Sequence, residues 1–262
     1  MLTGEKTVTL QKTDLKGSRL RCLMLTSLPR KQIALCLSEL VQPYGVVHSE
    51  KDEWMPKGLL EPAEARLGEA QLFLKPKDRE TVMDWWLEVK PRANTPNWDL
   101  VADCSIEGRR GLILVEAKAH MNELAIAGKT EPTTENGKKN HEQIGLAIED
   151  ANNDLKSYHS GWALSRDAHY QLCNRFAWSW KLASMGIPVI LVYLGFLNAD
   201  EMSSPFPSAE AWSNAVYKYS KGIVPDGVWE SKVMVCGTPF RPIIRSLDLE
   251  WRVFAGHAGG KK

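Results

Sequence analysis

Residues 96–120 read PNWDLVADCSIEGRRGLILVEAKAH, two runs of apolar residues joined by a polar, glycine-containing link. The pattern predicts a β-hairpin with acidic groups near both open ends. Asp99 opens the first run, and Glu116 and Lys118 stand near the end of the second. Alternate strand residues point to opposite faces, so Glu116 and Lys118 share a face and Ala117 looks the other way. A two-residue loop at Gly108-Arg109, with glycine first as a type II′ turn prefers, sets Asp99 opposite Lys118 and Val101 opposite Glu116. A longer loop over 107–111 would move the register by one and send Asp99 to the other face. In the two-residue register, two carboxylates and an amine converge.

Working outward, the run after Glu116–Lys118 is polar over 128–142 (GKTEPTTENGKKNHE), which predicts a surface loop in which Lys129, Lys138 and Lys139 are either phosphate contacts or plain solvated lysines. Helical spacing follows over 143–155 and again over 170–185 (YQLCNRFAWSWKLASM), where Gln171 and Arg175 lie one turn apart. VILVYL at 189–194 has the unbroken apolar character of a strand covered on both faces. Strand, helix, strand in that order predicts a right-handed crossover with the two strands parallel. Upstream, 31–41 and 78–89 have helical spacing. So does 60–74, where Leu60, Ala63, Leu67, Ala70 and Leu74 form one apolar stripe with Glu64 on its border. A short strand is expected at 20–25, an amphipathic segment at 209–219, and a disordered tail at 255–262. Glu116 and Lys118 also admit a plainer account, a buried ion pair on an interior strand.

The 262 residues carry a net charge of +1, with 44% hydrophobic and 25% charged residues, as in an ordinary soluble protein. Binding to a polyanion must therefore come from local patches. Five scattered cysteines without a CxxC pair favour reduced thiols and a cytoplasmic setting. The N-terminus lacks the apolar core of a secretory signal, and the longest apolar stretch, 186–197, is too short to span a bilayer as a helix. One domain over 1–262 is expected.

Two carboxylates, Asp99 and Glu116, with the backbone carbonyl of Ala117 between the acid and the lysine, make an oxygen-rich site suited to Mg²⁺ or Mn²⁺. Zinc is a poor candidate, because no Cys/His set has ligand spacing. Lys118 would face the same bound water, holding or activating it and offsetting charge that builds on a phosphate. Asp103, two residues from Asp99 on the same face, is the alternative ligand. His120 is expected at the rim, and Cys104 as a small core residue.

The run Asp99 … Glu116-Ala117-Lys118 resembles the PD-(D/E)xK, or restriction-endonuclease-like, nuclease superfamily, whose signature is an acid at the start of one strand and Asp or Glu, any residue, then Lys on the next. Trp98 stands where the signature often has proline. The resemblance covers about 60–196 and implies an α/β core of order αβββαβ, a mixed central sheet flanked by helices. It further implies a helical acid before the hairpin, to be supplied by Glu64 or Glu69, with Glu80 and Asp84 as alternatives. Gln171 and Arg175 look like the glutamine, and the residue about four positions further on, that RecB-type members carry on the helix after the catalytic strand. The implied activity is Mg²⁺-dependent hydrolysis of DNA phosphodiester bonds in restriction, repair or defence, with Asp99, Glu116, Lys118, Glu64 and Gln171 at the site. Cutting both strands would call for a homodimer. The competing expectations are a catalytically inactive relative that binds nucleic acid or a partner protein, and an unrelated hydrolase of a small phosphorylated substrate. The absence of a GxxxxGK[ST] loop weakens nucleotide-hydrolase forms of the last.

Overall fold

A computed structural model describes residues 15–249. The tail expected to be disordered lies outside the described residues. The chain is α/β, with a mixed six-stranded sheet between helices. In spatial order the strands are β1 (Trp54–Met55), β4 (Leu100–Ile106), β5 (Arg109–Lys118), β6 (Val189–Leu197), β8 (Thr238–Asp248) and β7 (Val233–Val235). A separate two-residue ladder joins β2 (Ala65–Arg66) to β3 (Asn97–Trp98). β4 and β5 are antiparallel, and β5, β6 and β8 run parallel, as the crossover rule predicts for β5 and β6.

Strand alternation divides the apolar residues between two cores. Val101, Leu112, Leu114, Leu191 and Tyr193 face one side, where they meet α3 (Pro76–Trp86), α4 (Glu135–Tyr158), α5 (Tyr170–Ser184) and α6 (Ala209–Ser220). Leu100, Ala102, Ile113, Val115 and Ala117 face the other, against α1 (Gly17–Thr26) and α2 (Arg30–Val41). By the same parity Glu116 and Lys118 join the first side and look toward α5. Gly195 on β6, in register with Lys118, takes no larger residue: a Cβ there would lie 2.4 Å from Trp212 Cγ.

Several expectations are corrected. The hairpin turns at Glu107-Gly108, both with positive φ (50° and 76°), so Ile106 pairs with Arg109 and Val101 with Leu114. That is the type I′ pattern rather than the expected II′. The register is thus displaced by two residues, which leaves every side chain on its expected face. Residues 60–74 are not a helix: Leu60 is 95% exposed, and the chain runs through turns and the short β2. Gly68 sits so close to Thr95 and Met83 that a Cβ would lie 2.6 Å from Thr95 Cγ2, and Ala65–Arg66 pairs with Trp98–Asn97. Tertiary pairing overrides the stripe. Residues 20–25 lie within α1 instead of a strand, buried nearly all round, and a short apolar run does not distinguish the two. The loop expected over 128–142 gives way at 135 to α4, whose start is set by the Thr134 hydroxyl accepting from the Gly137 amide at 3.2 Å. α3 ends at Trp86, three residues early. The five cysteines are unpaired, and among the described residues no helix is long and apolar enough to cross a membrane.

Candidate active site

β5 is an interior strand, and its last residues carry the site. Glu116 is 0% exposed, and each of its oxygens faces a cation: Lys118 Nζ donates to Oε1 at 2.5 Å and Arg175 Nε to Oε2 at 2.5 Å. Both donors are themselves buried, and both are ordered further. Lys118 also donates to Gln171 Oε1 at 2.9 Å, which uses two of its three N–H groups. Arg175 donates to the Asn97 carbonyl at 2.7 Å and to Asn174 Oδ1 at 3.0 Å, and its guanidinium lies 4.4 Å from the Trp98 ring centroid. The planar fork suits this many fixed acceptors; a lysine would not reach them.

Burial pushes the Glu116 carboxyl up, but Arg175 and then Lys118 outweigh it and hold the group below the usual carboxylate range. For Lys118, burial acts downward, and Glu116 followed by Asp99 raises it above an ordinary lysine. The pair is therefore carboxylate and ammonium at neutral pH. Lys118 thus acts as a hydrogen-bond donor, to Glu116 and to Gln171.

Asp99 lies at the bend between β3 and β4, and its Oδ2 accepts from the Ala117 amide at 2.7 Å. The carboxylate is thus turned toward β5. The N–H and C=O of one strand residue leave on the same edge, so the Ala117 carbonyl also points to the Asp99 side. Burial, then the like charge of Glu116, pushes the Asp99 pKa to about 7, against Lys118 and the Ala117 amide. A carboxyl with a raised folded-state pKa stabilises the fold fully below its unfolded value, and that stability is lost as pH rises to the folded value. Asp99→Asn should therefore gain on the parent, in the absence of divalent ions, by about 1.4 kcal/mol per pH unit between about pH 4 and about pH 7. Urea midpoints measured across that range check this; parallel curves for the two proteins would refute it.

Glu64 comes to the site on an extended segment rather than a helix. Its Oε1 is 2.7 Å from Arg19 NH1, its Oε2 accepts from Asn97 Nδ2 at 2.9 Å, and its charge acts on Asp99. A groove of about 410 Å³ beside it is lined by Arg19, Glu64, Arg66 and Asn97 among others. Glu69 instead accepts from the Thr95 amide and hydroxyl, both at 3.0 Å, and so staples a loop. Asp84 pairs with Lys90, and Glu80 is exposed on α3. Of the four acids considered, only Glu64 acts on Asp99. Asp103, the alternative ligand, pairs with Arg110 at 2.6 Å further down the strand. His120 is half-buried just beyond β5, and Cys104 is buried in the core as expected.

Three participants were not foreseen. Asn97 links Glu64 to Arg175 through its amide and its carbonyl. Arg19 on α1 pairs with Glu64. Glu123 accepts from the Ala119 amide at 2.5 Å and the Ser18 hydroxyl at 3.0 Å, and its charge also reaches Lys118. Only Glu123 had a local signal, a carboxylate three residues past His120 at capping-box spacing. Two larger grooves, of about 640 and 560 Å³, lie away from these residues.

Mg²⁺ needs only one or two carboxylates with waters completing its shell, and Asp99 and Glu116 with the Ala117 carbonyl meet that number. Among the described residues no group of three or more His, Cys, Asp and Glu side chains could hold a metal. No family model matches the chain, and neither the curated proteins nor the solved structures contain one that does.

Proposed function

We propose that the chain is a Mg²⁺- or Mn²⁺-dependent nuclease that hydrolyses DNA phosphodiester bonds, with a restriction-endonuclease-like core formed by the β4–β5 hairpin, the α4–α5 pair and β6. The observation that carries this is the convergence of Asp99, Glu116 and the Lys118 ammonium at one strand end, with the Asp99 carboxylate directed at β5. Two carboxylates forced together in a buried place, one of them raised to about 7, mark a site that a divalent cation would relieve. When bound, that cation would polarise a phosphoryl oxygen and make a coordinated water more acidic.

The chain's own residues supply the rest. Arg175 fixes the orientation of Glu116. Gln171 holds Lys118 with one donor spare, placed to bind a phosphate oxygen as negative charge grows on it. Asn97 joins Glu64 to this framework and sets the edge of the adjoining groove. Cleavage of both strands would bring two copies together.

A second reading, an inactive nucleic-acid-binding relative, is favoured by one feature: both Glu116 oxygens already face protein cations. Incubation with supercoiled plasmid and linear DNA, in Mg²⁺, Mn²⁺ or EDTA, separates the two. Nicking or linearisation that EDTA abolishes is expected. DNA binding without cleavage in either ion would establish the second reading instead.

A further inference from the structure

The fully buried cations have carboxylate partners: Arg175 and Lys118 share Glu116, and Arg21 pairs with Glu201. Lys129 has no such partner among the described residues. It is half-buried, burial alone lowers its pKa, and among the described residues no carboxylate lies within ion-pair distance of it. A desolvated ammonium without an anion costs free energy in the free protein, and an arriving anion offsets that cost.

Its place is fixed by backbone. The His169 amide donates to the Ile126 carbonyl at 2.9 Å, the Tyr170 amide to Ala127 at 3.1 Å, and the Lys129 amide to Arg166 at 2.8 Å. This short antiparallel pairing sets Lys129 Nζ 4.8 Å from the Tyr170 ring centroid. Tyr170 directly precedes Gln171, the residue that grips Lys118. Arg166 stands close by and adds to the positive field; burial, Arg166 and Lys129 together hold the His141 pKa down, with Glu131 and Asp167 opposing, so that imidazole is neutral. Asp167 is itself taken by Arg166 at 2.8 Å.

We propose that Lys129, seated on the Tyr170 ring one residue from the Lys118–Gln171 pair, binds a backbone phosphate of the nucleic-acid strand flanking the scissile one. This rests on the nuclease reading and deepens it. A lysine is a point charge without a bidentate fork, so the contact positions the strand and reads no sequence.

The test is fluorescence anisotropy of a labelled DNA duplex with the full chain, with Ca²⁺ replacing Mg²⁺ to suppress cleavage, over a salt series. Lys129→Gln should weaken binding about fivefold and lower the salt slope by about 1, the loss of one phosphate contact. Lys129→Arg should retain the slope, and Lys77→Gln, an exposed lysine on α3, should not change it. An unchanged slope in Lys129→Gln overturns the assignment; if the parent still cuts DNA, the nuclease reading survives that result. A reduced slope in a protein that cuts nothing upholds the subsite and removes the nuclease. Inorganic phosphate that displaces DNA beyond its ionic-strength effect, and does so only when Lys129 is present, would make this a free-phosphate site and overturn the strand assignment.

Discussion

Lys118→Met should lower the rate of DNA cleavage by about 10²–10³-fold, the loss typical of removing one preorganised donor to developing charge. Methionine keeps the length and apolar stem of the lysine, so the β5 end stays filled, and Arg175 remains to neutralise Glu116. Anisotropy with DNA and the far-ultraviolet circular dichroism spectrum should be close to those of the parent, because the change removes one ammonium and leaves the framework. A variant that nicks plasmid at the parental rate would remove Lys118 from the chemistry. The alanine substitution is a poorer test, since it also opens a void beside a fully buried carboxylate.

Arg175→Met should cost about 3–5 kcal/mol of stability, the usual loss when one partner of a buried ion pair is removed. Glu116 would keep Lys118 alone, while the Asn97 carbonyl and Asn174 would lose their donor. Against a total stability of about 5–15 kcal/mol for a domain, that loss is large enough to unfold part of the population near physiological temperature. Urea denaturation followed by tryptophan fluorescence measures it. Arg175→Lys should rescue little, because an ammonium cannot serve three acceptors in one plane. A loss below about 1 kcal/mol in Arg175→Met would mean that Glu116 is not held ionised by this guanidinium.

The core of the molecule was legible where local pattern and final structure agree. VILVYL became β6 parallel to β5, and the hairpin formed where apolar runs flank a glycine turn. Its register was missed because Glu107 adopts a left-handed conformation usually taken by Asn, Asp or Gly, so the I′ signal was hidden. The error was an even number of residues, and Asp99, Glu116 and Lys118 kept their common side for that reason. The segment 60–74 failed differently: its stripe has helical spacing, yet the backbone of 65–66 is claimed by 97–98, some thirty positions away. Long-range links of that kind leave no periodic trace. Arg175 illustrates it best, since its partner on β5 lies 59 residues upstream and the Asn97 carbonyl 78.

That fork also dictates when the acid on β5 can become ordered. Asp99, Glu116 and Lys118 all leave the ribosome before α5 exists, and without the guanidinium the acid on β5 has only a flexible neighbour to orient it. A nascent or truncated chain ending short of residue 170 therefore carries the reactive groups in an unordered form. The ordered cluster arrives only with the second half of the polypeptide.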